Sequence, residues 1–411
     1  MSDYPYNLGH YSRAVTTSSN DTQIWFDRGL NWTFGYHHEE ALACFKRALE
    51  SDPNCAMAHW GIAYVLGPNY NKPWELFDAS DLATTLNATR EAQAAAMAAA
   101  ENASPSEQAL IAALEKRYQS DTPIDDLYVW SSDYANAMRD VYKLYPDDQD
   151  VATLFVEAMM NRTPWQMWDP RSGDPVDGAD TVECREVLES ALKRMNDEKQ
   201  PRHPGLLHLY IHLMEMSPIP EQALRAADEL RGLVPDAGHL NHMATHIDVL
   251  CGDYQSVVSS NSDAIDADYK YFQANGALNF YSLYRAHNYH FKLYGAMFLG
   301  QFEPAINAVD EMMKTLPDDL MRLESPPMRN WLEGYSSMRT HALVRFGKWQ
   351  ELIDQALPED RDLYCMQTAL NHYGRGVAHS VLGHIDEALA AQQAFRTAVA
   401  NVPDERHIHT S

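Results

Sequence analysis

Apolar and polar residues alternate in no stretch of this chain in the manner of a β-strand. Residues 80–118 are rich in Ala and Glu, which favour helices, and Ser104-Pro105-Ser106-Glu107 has the form of a helix start. Residues 125–160 add two further helical segments. The pattern therefore predicts an all-α protein.

A repeated pattern of small, aromatic and helix-ending residues begins at Thr22. Its members are Trp25, Gly29, Trp32, Ala41, Phe45, Ala48 and Pro53. Small residues let two helices approach, aromatic residues fill the gap between them, and proline ends the second helix. This spacing resembles the tetratricopeptide repeat (TPR) family, in which helix–turn–helix units stack on one another. The resemblance implies an α-solenoid, wound as a right-handed superhelix and carrying loop inserts.

The same pattern predicts the organisation of the chain. Residues 1–21 are a polar N-terminal arm, residues 22–400 are a single TPR-like solenoid, and residues 401–411 are a C-terminal tail. Two aromatic inserts interrupt the repeats, at residues 67–74 and 162–178. Loops of such length in compact proteins are usually functional or disordered, and the two tryptophans of the second insert favour order.

The charge indicates the class of partner, and the cysteine content indicates the compartment. The formal net charge of −26 argues against a nucleic acid or an anionic membrane as partner, because both require clustered Lys and Arg. No signal peptide and no membrane-spanning apolar stretch is visible. The five cysteines are scattered, without a Cys-x-x-Cys pair, which suits a reducing compartment. We therefore expect a cytoplasmic protein.

Histidines are concentrated in residues 203–290, where two His-x-x-x-His pairs occur. The pair His242 and His246 follows the pair His208 and His212 by 34 residues, which is the period of the tetratricopeptide repeat. Residues four apart on a helix share one face. Imidazole is the commonest neutral ligand for transition metals. These four histidines are therefore the predicted metal ligands, with Fe or Cu favoured and Zn possible.

Other histidines fall in the same register when the turns of later repeats are aligned. By resemblance to TPR arrays, they line the groove or serve as alternative ligands; they are His203, His239, His287, His290 and His341. Seven further histidines of the helices and the tail are assigned no role; they are His37, His38, His372, His379, His384, His407 and His409.

Two glutamates are the predicted catalytic residues. Glu215 lies three residues after His212 and is a candidate ligand, acceptor for an imidazole N–H group, or general base. Glu157 lies in a mostly apolar helix, where an unpaired carboxylate is costly. It is either a further ligand or a structural partner of Arg162.

Longer phrases of the sequence resemble a group of TPR-like proteins of fungi and bacteria. These phrases are His203-Pro-Gly with Tyr210-Ile-His-x-x-Glu, Gly238-His-Leu-x-His-Met-x-x-His, Glu157-Ala-Met-Met-Asn, and Ala58-x-Trp-Gly with Leu66-Gly-Pro-Asn. Most members of the group have no assigned activity, so the resemblance implies a fold and a site but no reaction. The chain contains no nucleophile elbow, phosphate loop or His-Glu-x-x-His motif.

These features predict a metal-dependent enzyme of the Fe or Cu oxidoreductase or oxygenase type, acting on a small organic molecule in the groove. A TPR scaffold that binds a partner protein or peptide is the alternative. A zinc-dependent hydrolase, with Glu215 as base, is the second alternative. Neither nucleic acid nor membrane is an expected partner.

Overall fold

The computed structural model describes residues 4–406, and the chain divides into two compact units, Met1–Cys251 and Gly252–Ser411. The single solenoid over residues 22–400 stays a prediction. Residues 407–411, which include His407 and His409 and the last five residues of the expected tail, lie outside the described part of the chain.

The first unit consists of α-helices joined by loops and short 3-10 turns. The helices are α1 (Asn20–Phe34), α2 (His38–Ser51), α3 (Ala56–Leu66), α4 (Ala79–Ala99), α5 (Pro105–Leu114), α6 (Tyr128–Leu144), α7 (Gln149–Met160), α8 (Thr181–Asp197), α9 (Pro204–Met214), α10 (Leu224–Leu230) and α11 (Gly238–Cys251). Each helix packs on the next along most of the unit. This is the neighbour-on-neighbour packing of a helical repeat protein.

Small residues let the first three helices approach, as the repeat pattern predicts. Phe45 of α2 is fully buried between α1 and α3. A Cβ atom at Gly29 would lie 2.6 Å from the Phe45 ring, and one at Gly61 would lie 2.8 Å from it. Both distances are too short for carbon atoms in contact. The two glycines are therefore required by the ring between them.

Side-chain caps define where several helices begin. Ser104 accepts a hydrogen bond from the Glu107 backbone N–H group, and the Glu107 carboxylate accepts one from the Ser104 N–H group at 2.7 Å. This reciprocal pair is the predicted capping box at the start of α5. Asp148 caps α7 through the N–H groups of Asp150 and Val151.

The N-terminal arm packs against the helices of its own unit. Trp32 donates a hydrogen bond from Nε1 to the Tyr4 hydroxyl at 2.7 Å. The Arg13 guanidinium contacts Asp148 at 2.7 Å and Asp150 at 2.8 Å. The arm thus joins α1 to the start of α7.

The second unit is also helical. Its helices are α12 (Tyr254–Asn275), α13 (Ser282–Leu299), α14 (Phe302–Lys314), α15 (Asp318–Met321), α16 (Met328–Ser336), α17 (Met338–Arg345), α18 (Trp349–Asp354), α19 (Cys365–Leu382) and α20 (Ile385–Val399). Near its end, the buried Glu333 carboxylate pairs with the buried Arg406 guanidinium.

The fold class is the predicted one. Residues 4–406 contain two isolated β-bridges and no β-strand, so the all-α prediction is confirmed. Within the same residues, no helix has the length and apolar character needed to cross a lipid bilayer.

Candidate metal centre

Helix α9 places two histidines one turn apart inside the first unit. It begins at Pro204, after His203 caps it by accepting a hydrogen bond from the Leu206 N–H group at 3.2 Å. His208 and His212 are buried, and their ring centroids lie 4.7 Å apart. The i, i+4 spacing places the two side chains one turn apart on the same face of the helix.

Helix α11 supplies three further buried imidazoles, those of His239, His242 and His246. The rings of His208 and His239 lie 5.0 Å apart, centroid to centroid. One nitrogen of each of His208, His212 and His239 lies within 4.8 Å of the other two. The structure thus brings together two predicted ligands and one predicted groove residue. We call these three residues the histidine triad.

The hydrogen bonds of His208 define which of its nitrogens can bind a metal. Nδ1 lies 2.6 Å from the Phe34 carbonyl oxygen, an acceptor, so Nδ1 carries the proton. Nε2 therefore has the lone pair. It is buried and has no hydrogen-bond partner among the described residues. A buried nitrogen without a hydrogen-bond partner is rare in folded proteins.

The same reasoning applies to His212. Its Nδ1 atom donates to Glu215 Oε1 at 2.7 Å, which leaves the lone pair on Nε2. This Nε2 atom is also buried without a hydrogen-bond partner within residues 4–406. A carboxylate that holds Nδ1 while Nε2 binds an ion is the usual arrangement around protein metal sites.

Glu215 also contacts the other helix. Its Oε2 atom lies 2.5 Å from His246 Nδ1, so one buried carboxylate orients an imidazole on α9 and an imidazole on α11. Burial by itself raises the pKa of Glu215. The charge of His246 and the hydrogen bonds from both imidazoles outweigh burial, and the pKa lies below its ordinary value.

Next to the triad, His242 and His246 face each other through their Nε2 atoms, which are 2.9 Å apart. Both belong to the predicted ligand set. The His239 and His242 rings are stacked at 5.9 Å, and the His212 and His246 rings are 6.1 Å apart. The five imidazoles form one continuous cluster.

The surroundings of His208 and His212 favour the neutral form of both imidazoles. Burial lowers the pKa of His208 well below its ordinary value, and the neighbouring His212 lowers it further. Burial also lowers the pKa of His212, although Glu215 opposes the shift. A neutral imidazole has the free lone pair that a metal ion requires.

Three aromatic side chains surround the triad. Tyr36 lies 4.6 Å from the His208 ring, Tyr70 lies 5.2 Å from the His212 ring, and Trp165 lies 5.5 Å from the His212 ring. Tyr36 has φ 54° and Trp165 has φ 60°, in the left-handed region that bulky residues seldom adopt. Such strain persists only where surrounding structure enforces it, and it is common at functional sites.

Both predicted inserts contribute to this wall. Tyr70 and Asn71 belong to the first insert, and the Asn71 amide lies 3.5 Å from His239 Nε2. On the other side of the insert, the buried Arg117 guanidinium donates to the Pro68 carbonyl oxygen. Trp165 belongs to the second insert and stacks on Tyr70 at 5.0 Å. The sequence indicated the inserts, but not the residues within them that contact the histidines.

Two other predicted site residues of this unit lie in structural contacts. His203 uses both ring nitrogens, because Nδ1 caps α9 and Nε2 lies 3.2 Å from Asp150. Glu157 is buried on α7 and accepts a hydrogen bond from the Tyr64 hydroxyl. Burial raises the pKa of Glu157, and the Arg117 charge opposes this. Arg162 pairs with Asp180 instead of Glu157.

The remaining predicted groove histidines belong to the second unit. His287 and His290 lie on α13, with ring centroids 6.5 Å apart, and the His290 ring lies 5.7 Å from Tyr335. His341 lies on α17, where burial lowers its pKa.

Three solved structures are similar to this chain over most of its length. The APC/C hetero-tetramer Cut9-Hcn1 matches with 13% identity and a TM-score of 0.29, over 94% of this chain and 74% of that chain. The human IFIT1 dimer with PPP-AAAA matches with 12% identity and a TM-score of 0.35, over 92% and 73%. The P58(IPK) TPR domain matches with 16% identity and a TM-score of 0.21, over 94% and 95%.

Comparison with models of known protein families found no match. Comparison with curated proteins found none either. The membership of the His-rich fungal and bacterial group stays a prediction.

Proposed function

We propose that the first unit binds a transition metal ion through the histidine triad, His208, His212 and His239. The observation that carries this proposal is the pair of buried Nε2 atoms of His208 and His212. Each has its lone pair assigned by the hydrogen bond at Nδ1, and neither has a hydrogen-bond partner in the described chain. Buried polar atoms without a hydrogen-bond partner are expected to bind a ligand.

The proposed ion is Fe or Cu, and Zn is the competing ion. Imidazole nitrogens suit all three metals, and the triad itself contains no thiolate or carboxylate that would select among them. Glu215 is proposed to act through His212. Its carboxylate accepts the Nδ1 hydrogen bond, which holds the ring and raises the basicity of Nε2.

The more specific proposal is that the protein is a metal-dependent oxidoreductase or oxygenase that acts on a small organic molecule. It is supported by the aromatic wall of Tyr36, Tyr70 and Trp165, because such walls shape small-molecule sites. A zinc hydrolase with Glu215 as base has less support. Both Glu215 oxygens already accept imidazole protons, so neither is positioned to take a proton from water.

A partner-binding scaffold is the second candidate function. The TPR-like arrangement of the helices suits it, and so does helix α20, which buries none of its side chains. Ile385 and Leu389 are 61% and 59% exposed, and Val381 of α19 is 57% exposed. Exposed apolar residues that share one helix face, as Ile385 and Leu389 do, are common at protein interfaces. The partner would be a protein or peptide.

The compartment is also a proposal. All five cysteines are free thiols in the structure, and Cys251 is the exposed one. Free cysteines of this kind suit a reducing compartment, which supports the cytoplasm.

Elemental analysis of the purified full chain tests the metal proposal. We expect bound Fe, Cu or Zn in wild type and its loss in a His208→Asn/His212→Asn double variant. Asparagine keeps an N–H donor where Nδ1 lies and removes the Nε2 ligand. His384→Asn, at an exposed histidine of the second unit, is the control. Metal content that is equal in the double variant and wild type contradicts the proposal.

X-ray absorption at the edge of the bound metal then identifies it, and activity screening with the identified metal tests the enzyme proposal. The scaffold is tested by an Ile385→Asp/Leu389→Asp variant of the full chain. Loss of a stoichiometric protein partner, with metal content unchanged, would support the scaffold function.

A further inference from the structure

The first unit contains a second group of buried polar side chains, separate from the histidines and centred on Tyr64 of α3. The Tyr64 hydroxyl donates a hydrogen bond to Glu157 Oε2. The Trp60 ring stacks on the Tyr64 ring at 5.0 Å, and the Arg117 guanidinium carbon lies 4.4 Å from the centre of the Tyr64 ring. Each of these four side chains is at most 5% exposed, so they form one desolvated group.

Two further buried residues belong to this group. The Arg117 guanidinium carbon lies 5.3 Å from the centre of the Tyr134 ring. Asn161 follows Glu157 by four residues at the end of α7, one helical turn along the same face. We call the six residues the Arg117 site; they are Trp60, Tyr64, Arg117, Tyr134, Glu157 and Asn161.

Five of these six side chains have a buried polar atom that lacks a hydrogen-bond partner within residues 4–406. Three of the atoms can donate and two can accept; they are Trp60 Nε1, Arg117 Nη1 and Tyr134 Oη, and then Glu157 Oε1 and Asn161 Oδ1. Buried polar atoms without a partner are few in a folded protein. Five of them in one contiguous group are therefore expected to bind a ligand.

The charges of the Arg117 site indicate the chemistry of that ligand. The Arg117 guanidinium donates to the Pro68 carbonyl oxygen, and the Glu157 carboxylate accepts from the Tyr64 hydroxyl, so each charge is bonded to an uncharged group. Burial raises the pKa of Glu157 and the Arg117 charge opposes the shift, so the two groups interact across the site. Buried charges that are not directly paired are costly. A molecule that brings an anionic group to Arg117 and a cationic group to Glu157 compensates both.

We infer that the Arg117 site binds a small zwitterion of the amino acid class. Its carboxylate accepts hydrogen bonds from Arg117 Nη1 and Tyr134 Oη, and its ammonium group donates to Glu157 Oε1 and Asn161 Oδ1. This division follows the donors and acceptors of the site, since Tyr134 adjoins Arg117 and Asn161 adjoins Glu157. The inference does not depend on a metal ion, because no residue of the Arg117 site belongs to the histidine triad.

Isothermal titration calorimetry of the full chain tests the inference. The probes are glycine, β-alanine and γ-aminobutyrate, which place their two charges progressively farther apart. Acetate and methylammonium, which each carry one of the charges, are the comparison probes. We expect at least one zwitterion to bind wild type at least about tenfold more tightly than either comparison probe. Equal affinities for the zwitterions and the comparison probes, or no binding of any probe, would overturn the inference.

Two conservative variants test the residues. Tyr134→Phe removes a hydroxyl group that has no partner in the described chain, and it should weaken the binding of the preferred zwitterion at least about tenfold. Tyr118→Phe is the matched control. Tyr118 is also buried beside Arg117, but its hydroxyl already donates to the Tyr64 carbonyl oxygen at 3.4 Å, so the affinity should change less than about twofold. Equal losses in the two variants, or no loss in Tyr134→Phe, would contradict the assignment.

A crystal structure of wild type soaked in the preferred zwitterion covers the case in which a variant fails to fold. The soaked molecule should contact both Arg117 and Glu157. Ordered water alone at these side chains would overturn the inference. The calorimetry and the soak do not measure metal content, so their failure would leave the metal proposal unchanged, and failure of the metal proposal would leave the Arg117 site unchanged.

Discussion

The imidazole of His208 donates a hydrogen bond from Nδ1 to the carbonyl oxygen of Phe34 at 2.6 Å. Phe34 is the last residue of α1, so its carbonyl group has no acceptor role within that helix. The contact gives the last carbonyl group of α1 a hydrogen-bond donor. It also directs the His208 Nε2 atom into the cluster. The first repeat of the chain thereby sets the orientation of a candidate metal ligand 174 residues away.

Metal binding should stabilise the folded chain. An ion that binds only the folded state at a free concentration of 100 times its Kd adds about 2.7 kcal/mol to the free energy of unfolding. We expect Zn²⁺ to raise the thermal midpoint of the chelator-treated protein, and His212→Asn to remove most of this increase. Differential scanning calorimetry with and without the ion measures both. An equal increase in the variant would argue against His212 as a ligand.

Stability without metal should fall with acid. Burial lowers the pKa of His212 in the folded chain, although Glu215 opposes the shift, and unfolding returns the pKa to about 6.5. The unfolded chain then binds more protons, so the free energy of unfolding falls below pH of about 6.5, by at most about 1.4 kcal/mol per pH unit. Urea unfolding at pH 8, 6 and 5 should give a steeper decline for wild type than for His212→Asn. Parallel curves would contradict this.

The close approach of α1 and α2 should make Gly29 intolerant of substitution. In Gly29→Ala the new methyl group would lie 2.6 Å from the Phe45 ring, and overpacking of this kind costs about 1–3 kcal/mol. Gly376→Ala, within helix α19, is the matched control. Its methyl group would be 3.7 Å from Ala391, so helix propensity should make it neutral or stabilising by about 0.5–1 kcal/mol. Equal effects in chemical denaturation would refute the packing explanation.

The ion pair of Glu333 and Arg406 should stabilise the second unit. Both groups are buried, and removing one partner leaves the other charge uncompensated. Arg406→Ala is therefore expected to cost about 3–5 kcal/mol in the free energy of unfolding. Lys193→Ala, which breaks an exposed pair with Asp197, should cost less than about 1 kcal/mol. Similar losses in the two variants would show that burial does not decide the effect.

Local spacing predicted much of the fold and part of the candidate site. The recurrence of small and aromatic residues predicted the close approach of α1 and α2 at Gly29 and Phe45, because helix geometry converts sequence intervals into shared faces. For the same reason, the four-residue intervals predicted the pairings of His208 with His212 and of His242 with His246. Each of these relationships lies within one helix or between adjacent helices of one repeat.

Only the tertiary structure decided which histidine completes the triad. The packing of α9 on α11 brings a nitrogen of His239 within 4.8 Å of nitrogens of His208 and His212. It also lets Glu215 reach His246, and the folded inserts add Tyr70 and Trp165 to the wall. Spacing along the sequence determines the face of a helix, but the stagger between helices and the path of a loop follow from the packing of many side chains.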